Sequence, residues 1–150
     1  MREKRDVVCF FGNDDVDSKK IYSLIDELIL CGAESFLFPA HSFFCLDCAK
    51  QVLLRKKKQK GNFSDKIRLS AYVPYEAYIN NKSEKFRNEY FQVLEKSDDV
   101  IVFDDEESFV NADFSESILN RCSIVVCAEN GAEYEKLYAA ASGIKIIGIR

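Results

Sequence analysis

Apolar and polar positions along the chain switch repeatedly between two periods. Val7-Val8-Cys9-Phe10-Phe11 is an unbroken apolar run closed by Gly12, the pattern of a parallel strand buried on both faces. From Ser18 to Cys31 the apolar residues fall at helical spacing, with Ile21, Leu24, Ile25, Leu28 and Ile29 on one face. Asp17 is placed to cap that helix and Gly32 to end it. A strand is expected over Ser35–Phe38, a loop over Pro39–Phe44 and a helix from Leu46 to about Lys58, with Leu46, Ala49, Val52 and Leu53 inward. Gly61-Asn62 breaks the chain, Lys66–Val73 alternates as a strand does, and Pro74 stops it. Asn81 and Glu84 have the spacing of a capping box opening a helix from about Lys82 to Lys96, with Phe86, Tyr90, Val93 and Leu94 inward. Val100–Phe103 predicts a short strand, Phe114–Arg121 a short helix and Ser123–Cys127 another strand. Ala132–Ser142 predicts a helix with Tyr134, Leu137, Tyr138 and Ala141 on one side. Gly143 caps it, and Lys145–Ile149 closes the sheet.

Six strands alternating with five helices predict an α/β fold: a Rossmann-like, doubly wound, mainly parallel six-stranded sheet with helices on both faces. The 150 residues are the length of one domain, so residues 1–150 are expected to form a single unit. In such sheets ligands bind beyond the carboxyl ends of the strands, where the strand order reverses.

Charge and cysteine content narrow the setting. The formal net charge is −4, and phosphate neutralisation requires a basic surface, so nucleic acid is not the expected partner. No apolar run approaches the roughly 20 residues that span a bilayer, and the charged Met1–Asp6 start lacks the apolar core of a signal peptide. A soluble, cytoplasmic protein is expected. Its six cysteines then read as thiols, with Cys9 and Cys127 as small hydrophobes in strands.

Four segments carry candidate chemistry. Gly12-Asn13, followed by Asp14, Asp15 and Asp17, lies where a strand end turns into a helix whose amides can face an anion. The same residues also make an ordinary strand–helix turn with a cap and solvated acids. The loop from Pro39 to Cys48 brings His41, Ser42, Cys45 and Cys48 to a strand–helix junction. There a helix N-terminus lowers a thiol pKa and His41 can share a proton with Cys45. Cys45-x-x-Cys48 is also half of a zinc pattern, although the spacing of Cys122 and Cys127 completes it poorly. Packed thiols are the simpler reading, and no metal is assigned. Asn130-Gly131 suits a tight turn before a helix, where Glu133 can accept a ribose hydroxyl, act as a base, or merely complement the helix dipole. Asp104–Glu107 has the carboxylate density that holds Mg²⁺ but equally that of a solvated loop. The basic run from Arg55 to Lys60 suits a helix C-terminus.

The order of these motifs resembles the SLOG superfamily, Rossmann-like proteins related to the LOG and lysine-decarboxylase-like groups, and within it the small YpsA-like bacterial proteins. The resemblance covers nearly the whole chain. Cys9-Phe-Phe-Gly-Asn13 resembles that subgroup's opening strand and Thr-Gly-His-like turn. Val73-Pro-Tyr-Glu76 resembles its Pro-Tyr-containing third strand. The segment from Tyr90 to Phe103 resembles its helix ending in Leu-Glu-Lys-Ala-Asp and the strand after it. Tyr138-Ala139 and Lys145–Ile149 resemble its closing helix and strand. The departures fall in the ligand loops. Asn13 stands at the family's histidine position. Pro39–Cys45, with no glycine, replaces its glycine-rich second loop, and Cys45 takes the place of that loop's aspartate. Asn130-Gly131-Ala132 replaces its Gly-Gly-Thr. Bulky Phe43 and Phe44 would crowd a phosphate that needs close backbone approach. The glycine-rich phosphoribohydrolase signature of LOG is absent in form, so that activity does not carry over.

The resemblance implies a bacterial, non-catalytic binding module for a nucleotide or nucleotide derivative. Gly12, Asn13, Ser42, Asn130, Gly131 and Glu133 would line its cleft, with His41 and Cys45 nearby. One alternative is a degenerate scaffold or interaction protein whose old cleft is filled by Phe43 and Phe44. Another is a nucleotide-directed hydrolase with Glu133 as base. A small nucleotide-like ligand and a second copy of the chain are the expected partners, and the sequence identifies no cofactor.

Overall fold

A computed structural model describes residues 6–59, 66–103 and 112–150. Six strands form one sheet: β1 (Val7–Phe11), β2 (Ser35–Pro39), β3 (Arg68–Val73), β4 (Asp99–Val102), β5 (Ile124–Ala128) and β6 (Lys145–Ile149). Every neighbouring pair is parallel, and the order across the sheet is β4-β3-β2-β1-β5-β6. The chain winds outward from β1 to β4, returns to the centre beside β1 as β5, and ends at the opposite edge with β6. The order therefore reverses between β1 and β5, as expected of a doubly wound sheet.

Alternation along the strands divides the core. Val8 and Phe10 of β1 join Phe36, Phe38, Ala71 and Val126 on one face, while Cys9, Phe11, Leu37, Tyr72, Val125 and Cys127 point to the other. Three helices cover the first face: α1 (Ser18–Leu30), α2 (Phe43–Lys58) and α3 (Glu84–Lys96). Two shorter ones cover the second, α4 (Asp113–Leu119) and α5 (Glu133–Ala141). Right-handed crossovers require this division, since the direction of winding changes after β4.

Local chemistry sets the helix limits. Asp17 accepts the Lys19 N–H at 3.0 Å and caps α1 as its position suggests. The start of α2 differs from the expected Leu46. Ser42 is the cap and accepts the Cys45 N–H at 3.2 Å, so Phe43 and Phe44 belong to the first turn. At α3 the expected Asn81–Glu84 box does not form. Asn81 closes a 3₁₀ turn over Glu76–Asn81, and Ser83 instead accepts the Phe86 N–H at 3.2 Å. The last turn of α2 carries Arg55, Lys56, Lys57 and Lys58, the favourable end for cations. Lys60 and the acidic Asp104–Glu107 segment lie outside the described residues.

The apolar stripe of α5 is split: Tyr138 packs partly buried against the core of the second face, while the rest of the stripe is exposed. Ala139 is its buried residue, whereas Tyr134 and Leu137 are exposed. Periodicity identified residues sharing a side but not which side the chain buries. The inward side of α5 is made by Glu135, Tyr138 and Ala139, and Tyr138 donates its hydroxyl to Asn120 at 2.6 Å. Glu135 Oε1 accepts the Ser115 hydroxyl of α4 at 3.1 Å.

Candidate functional site

At the strand-order reversal, the turns after β1 and β5 are fastened together. Gly12 has φ +134°, and a Cβ there would lie 2.4 Å from Ala128 Cβ. Gly131 has φ +81°, and a Cβ there would lie 2.9 Å from the Asn13 nitrogen. Only residues without a side chain permit both the backbone angles and this approach. Asn13 donates its N–H to the Asn130 carbonyl at 2.9 Å. The Asp14 carboxylate accepts from Asn130 twice, from the backbone N–H at 3.1 Å and from Nδ2 at 3.0 Å.

Beneath this junction lie two residues expected near the cleft. Ser42 donates its hydroxyl to the Gly12 carbonyl at 2.8 Å, and the Cys45 thiol faces the Phe10 carbonyl at 3.6 Å. Both side chains are buried. Burial pushes the Cys45 thiol up to about 12 and outweighs the opposing hydrogen bond from the Ser42 side chain. Burial likewise raises Cys48 well above the ordinary thiol value, with the charges of Cys45 and Asp47 adding to it. Burial at both positions thus disfavours the thiolate near neutrality. All six cysteines are free, and Cys31 is exposed. Among the described residues, no three His, Cys, Asp or Glu side chains are grouped to hold a metal. Cys31 is accordingly expected to react first with an aromatic disulfide reagent, with Cys9, Cys45, Cys48 and Cys127 reacting only after denaturation. Fast labelling of Cys45 in the folded protein would contradict this.

His41 lies on the opposite face, with its ring 6.4 Å from Phe11 and 6.2 Å from Phe114. Tyr78 donates its hydroxyl to the His41 carbonyl at 3.1 Å. Desolvation first, and then the charge of Lys82, hold the imidazole at about 4, below its ordinary 6.5. The folded protein therefore keeps His41 neutral while the unfolded chain protonates. Stability should fall as pH drops from about 6.5 to about 4 and then level off for this group. The loss is about 2 kcal/mol once screening at a half-buried ring is allowed for. Urea unfolding of His41→Phe and of the parent chain across that window should diverge by this amount. Parallel curves would contradict it.

Beside the fastened turns an open hollow of about 560 Å³ lies at the carboxyl ends of the strands, above the first turns of α1, α2 and α3. Asn13, Asp14 and Asp15 form one wall, Phe43 and Asp47 the second, and Lys85 and Glu89 the third. Phe43 is 45% exposed, sits edge-on to Phe86 at 5.1 Å between ring centroids, and has the Lys85 ammonium 5.6 Å from its ring. Phe44, by contrast, is packed in the core. Asp47 accepts the Ser18 hydroxyl at 2.7 Å, and Lys50 pairs with Glu89 at 2.7 Å across the floor.

No family model matches the sequence, and no curated protein matches it.

Of the residues expected to line the cleft, Asn13 alone reaches this hollow, joined by Asp14 and Asp15 of the same candidate segment. Gly12, Asn130 and Gly131 build the junction beside it, and Ser42 and Cys45 support it from below. Glu133 is an exposed first-turn residue of α5 on the other side of the junction. The hollow's other walls, Phe43, Asp47 and Lys85, were not singled out as binding groups. Phe43 carried the one available signal, a bulky aromatic where close packing on a phosphate would require glycine. A larger groove of about 830 Å³ lies between the later turns of α2 and α3, lined by Lys50, Lys56, Lys57 and Lys96. It opens toward the amino ends of the strands, away from the reversal point.

Proposed function

We propose that this domain is a non-catalytic binding module for a nucleotide derivative, held through its nucleoside part in the hollow beside Asn13 and Phe43. The observation that carries this reading is the open polar hollow at the strand carboxyl ends, whose size falls in the range of small-molecule sites. The exposed face of Phe43 suits stacking by a base, and carboxylates suit the donating hydroxyls of a ribose. The wall charges disfavour a phosphate there. Asp14, Asp15, Asp47 and Glu89 oppose only Lys50 and Lys85, and Lys50 is already paired. The thiols and His41, held in their uncharged forms, support the non-catalytic character. A cytoplasmic setting agrees with six unpaired cysteines, and no described helix is long and apolar enough to cross a membrane.

Thermal unfolding with adenosine, ADP-ribose or ATP tests this. At a hundredfold excess over Kd the stabilisation should be about 2.7 kcal/mol, a Tm rise of roughly 8 °C. Adenosine and ADP-ribose should bind at least as tightly as ATP, and Phe43→Ala should abolish the rise while lowering the unliganded Tm by only about 2–5 °C, the cost of its contact with Phe86. No rise at millimolar ligand, or ATP tenfold tighter than adenosine, would contradict the reading.

A second reading draws on the fastened junction. With Asn13 bonded to Asn130 and Gly12 against Ala128, the crevice between β1 and β5 is filled by protein. That supports a scaffold role through the junction, and not through the expected filling by Phe43 and Phe44, since Phe43 is 45% exposed on the wall of the open hollow.

A further inference from the structure

We propose that the groove between the later turns of α2 and α3 docks an acidic peptide segment of a partner protein, with one apolar side chain on the groove floor and carboxylates on its rim. The groove shares one residue, Lys50, with the hollow beside Asn13 and is otherwise a separate place. Helical spacing builds it. Lys50, Leu53, Leu54 and Lys57 of α2 follow the i, i+3, i+4, i+7 pattern of one face, and Val93 and Lys96 of α3 line the other wall. Val93 is buried and Leu53 partly so, whereas Leu54 is 45% exposed. The open apolar floor is therefore about one side chain wide, which suits a leucine or an aromatic ring and is too small for an acyl chain.

The rim is basic in a chain whose net charge is −4: among the described residues the lining holds four lysines and no carboxylate. The helix dipole favours cations in the last turn of α2, but it does not select the side they take. Arg55 and Lys58 turn to α1, where Arg55 pairs with Asp26 at 2.6 Å and the Lys58 ammonium lies 4.9 Å from the Tyr22 ring. Lys56 and Lys57 turn to the groove. Lys56 is held by both oxygens of Asp98, at 3.1 and 3.2 Å, and Asp98 is itself fixed by the Leu69 N–H at 2.9 Å. Lys57 and Lys96, from opposite walls, have no ion pair among the described residues. Two exposed ammonium groups therefore flank the apolar floor with no carboxylate of their own.

Charge complementarity and length select the occupant. From Lys50 to Lys57 the helix rises about 10 Å. Glu89, paired with Lys50, stands at one end of this stretch, and Asp98, paired with Lys56, at the other. The positive potential thus covers about two helical turns and stops at a carboxylate each way. Regularly spaced phosphates of a nucleic acid, or the plane of an anionic bilayer, would run onto those carboxylates. A short peptide does not. An apolar residue on Leu54 with an aspartate or glutamate on either side reaches Lys57 and Lys96, and the exposed Gln92 amide can both donate to and accept from the peptide backbone. One apolar anchor and two solvent-exposed charge pairs make a weak contact, with a dissociation constant in the range of about 10–100 µM.

A displayed library of random peptides, each about ten residues long, selected on the whole chain, tests the proposal. Selected sequences should carry a leucine or aromatic residue flanked by aspartate or glutamate, and a synthetic copy should bind with the affinity given above by fluorescence anisotropy. Lys57→Gln combined with Lys96→Gln should weaken that peptide about tenfold, and raising the salt from about 0.05 M to about 0.5 M should do the same. Leu54→Ser should weaken it about fivefold. These three side chains are exposed, so the variants should unfold within about 2 °C of the parent chain. Selection without an acidic consensus, or binding indifferent to the lysine pair or to Leu54, would overturn the proposal. So would tighter binding of inorganic polyphosphate or of phosphatidylserine vesicles than of the selected peptide.

Discussion

Gly12→Ala is expected to destabilise the protein by about 3 kcal/mol or more and to lower its Tm by roughly 10 °C. Two effects combine at this position. The backbone sits at φ +134°, where a side chain is strained. The added Cβ would also fall 2.4 Å from Ala128 Cβ and 2.9 Å from the Ala128 nitrogen, both on the central strand β5. Neither β1 nor β5 can yield without disturbing its neighbours, since β1 is hydrogen-bonded to β2 and β5, and β5 to β6. Differential scanning calorimetry checks the size of the effect. A loss below about 1 kcal/mol would mean that the two turns are not held in contact.

Ser42→Ala should cost about 2–3 kcal/mol, a fall in Tm of roughly 8 °C. One hydroxyl serves two partners here. It caps α2 by accepting from Cys45, worth about 1 kcal/mol. It also donates to the buried Gly12 carbonyl, which loses its best donor at a cost of about 1–2 kcal/mol. Ser42→Thr keeps both bonds and should retain most of the stability, whereas Ser42→Ala should not. Equal unfolding midpoints in urea for the two variants would show that the hydroxyl supports neither partner.

The sheet was legible because buried parallel strands write themselves as apolar runs. Val7–Phe11 and Ile124–Ala128 could be assigned without any tertiary knowledge. The helix starts were harder. Ser42, Phe43 and Phe44 look like loop residues until Ser42 is seen capping the Cys45 amide, and Ser83 displaces the Asn81 cap because the chain after Pro74 first coils into a 3₁₀ turn. The rotation of α5 was only partly readable: of the stripe Tyr134, Leu137, Tyr138 and Ala141, Tyr138 packs on the core while Tyr134 and Leu137 are exposed, and periodicity alone does not say which edge of a stripe is buried.

The candidate site divides along the same line. Turn residues such as Gly12, Asn13, Asn130 and Gly131 were visible as turn residues, and the structure brings all four together. The Asp14 clamp on Asn130 joins residues 116 positions apart and leaves no local mark. The hollow's walls come from three helices, so no single motif encodes them. Phe43 and Asp47 lie on the first turns of α2, and Lys85 and Glu89 on α3.

Ligand binding in that hollow is most directly tested by backbone amide NMR of the labelled chain titrated with ADP-ribose and with adenosine. Saturable shifts should cluster at Asn13–Ser18, Phe43–Lys50 and Lys85–Glu89, and leave the exposed helix around Leu137 unmoved. Unshifted spectra at millimolar concentrations of both compounds, or shifts confined to the groove between Lys56 and Lys96, would contradict it.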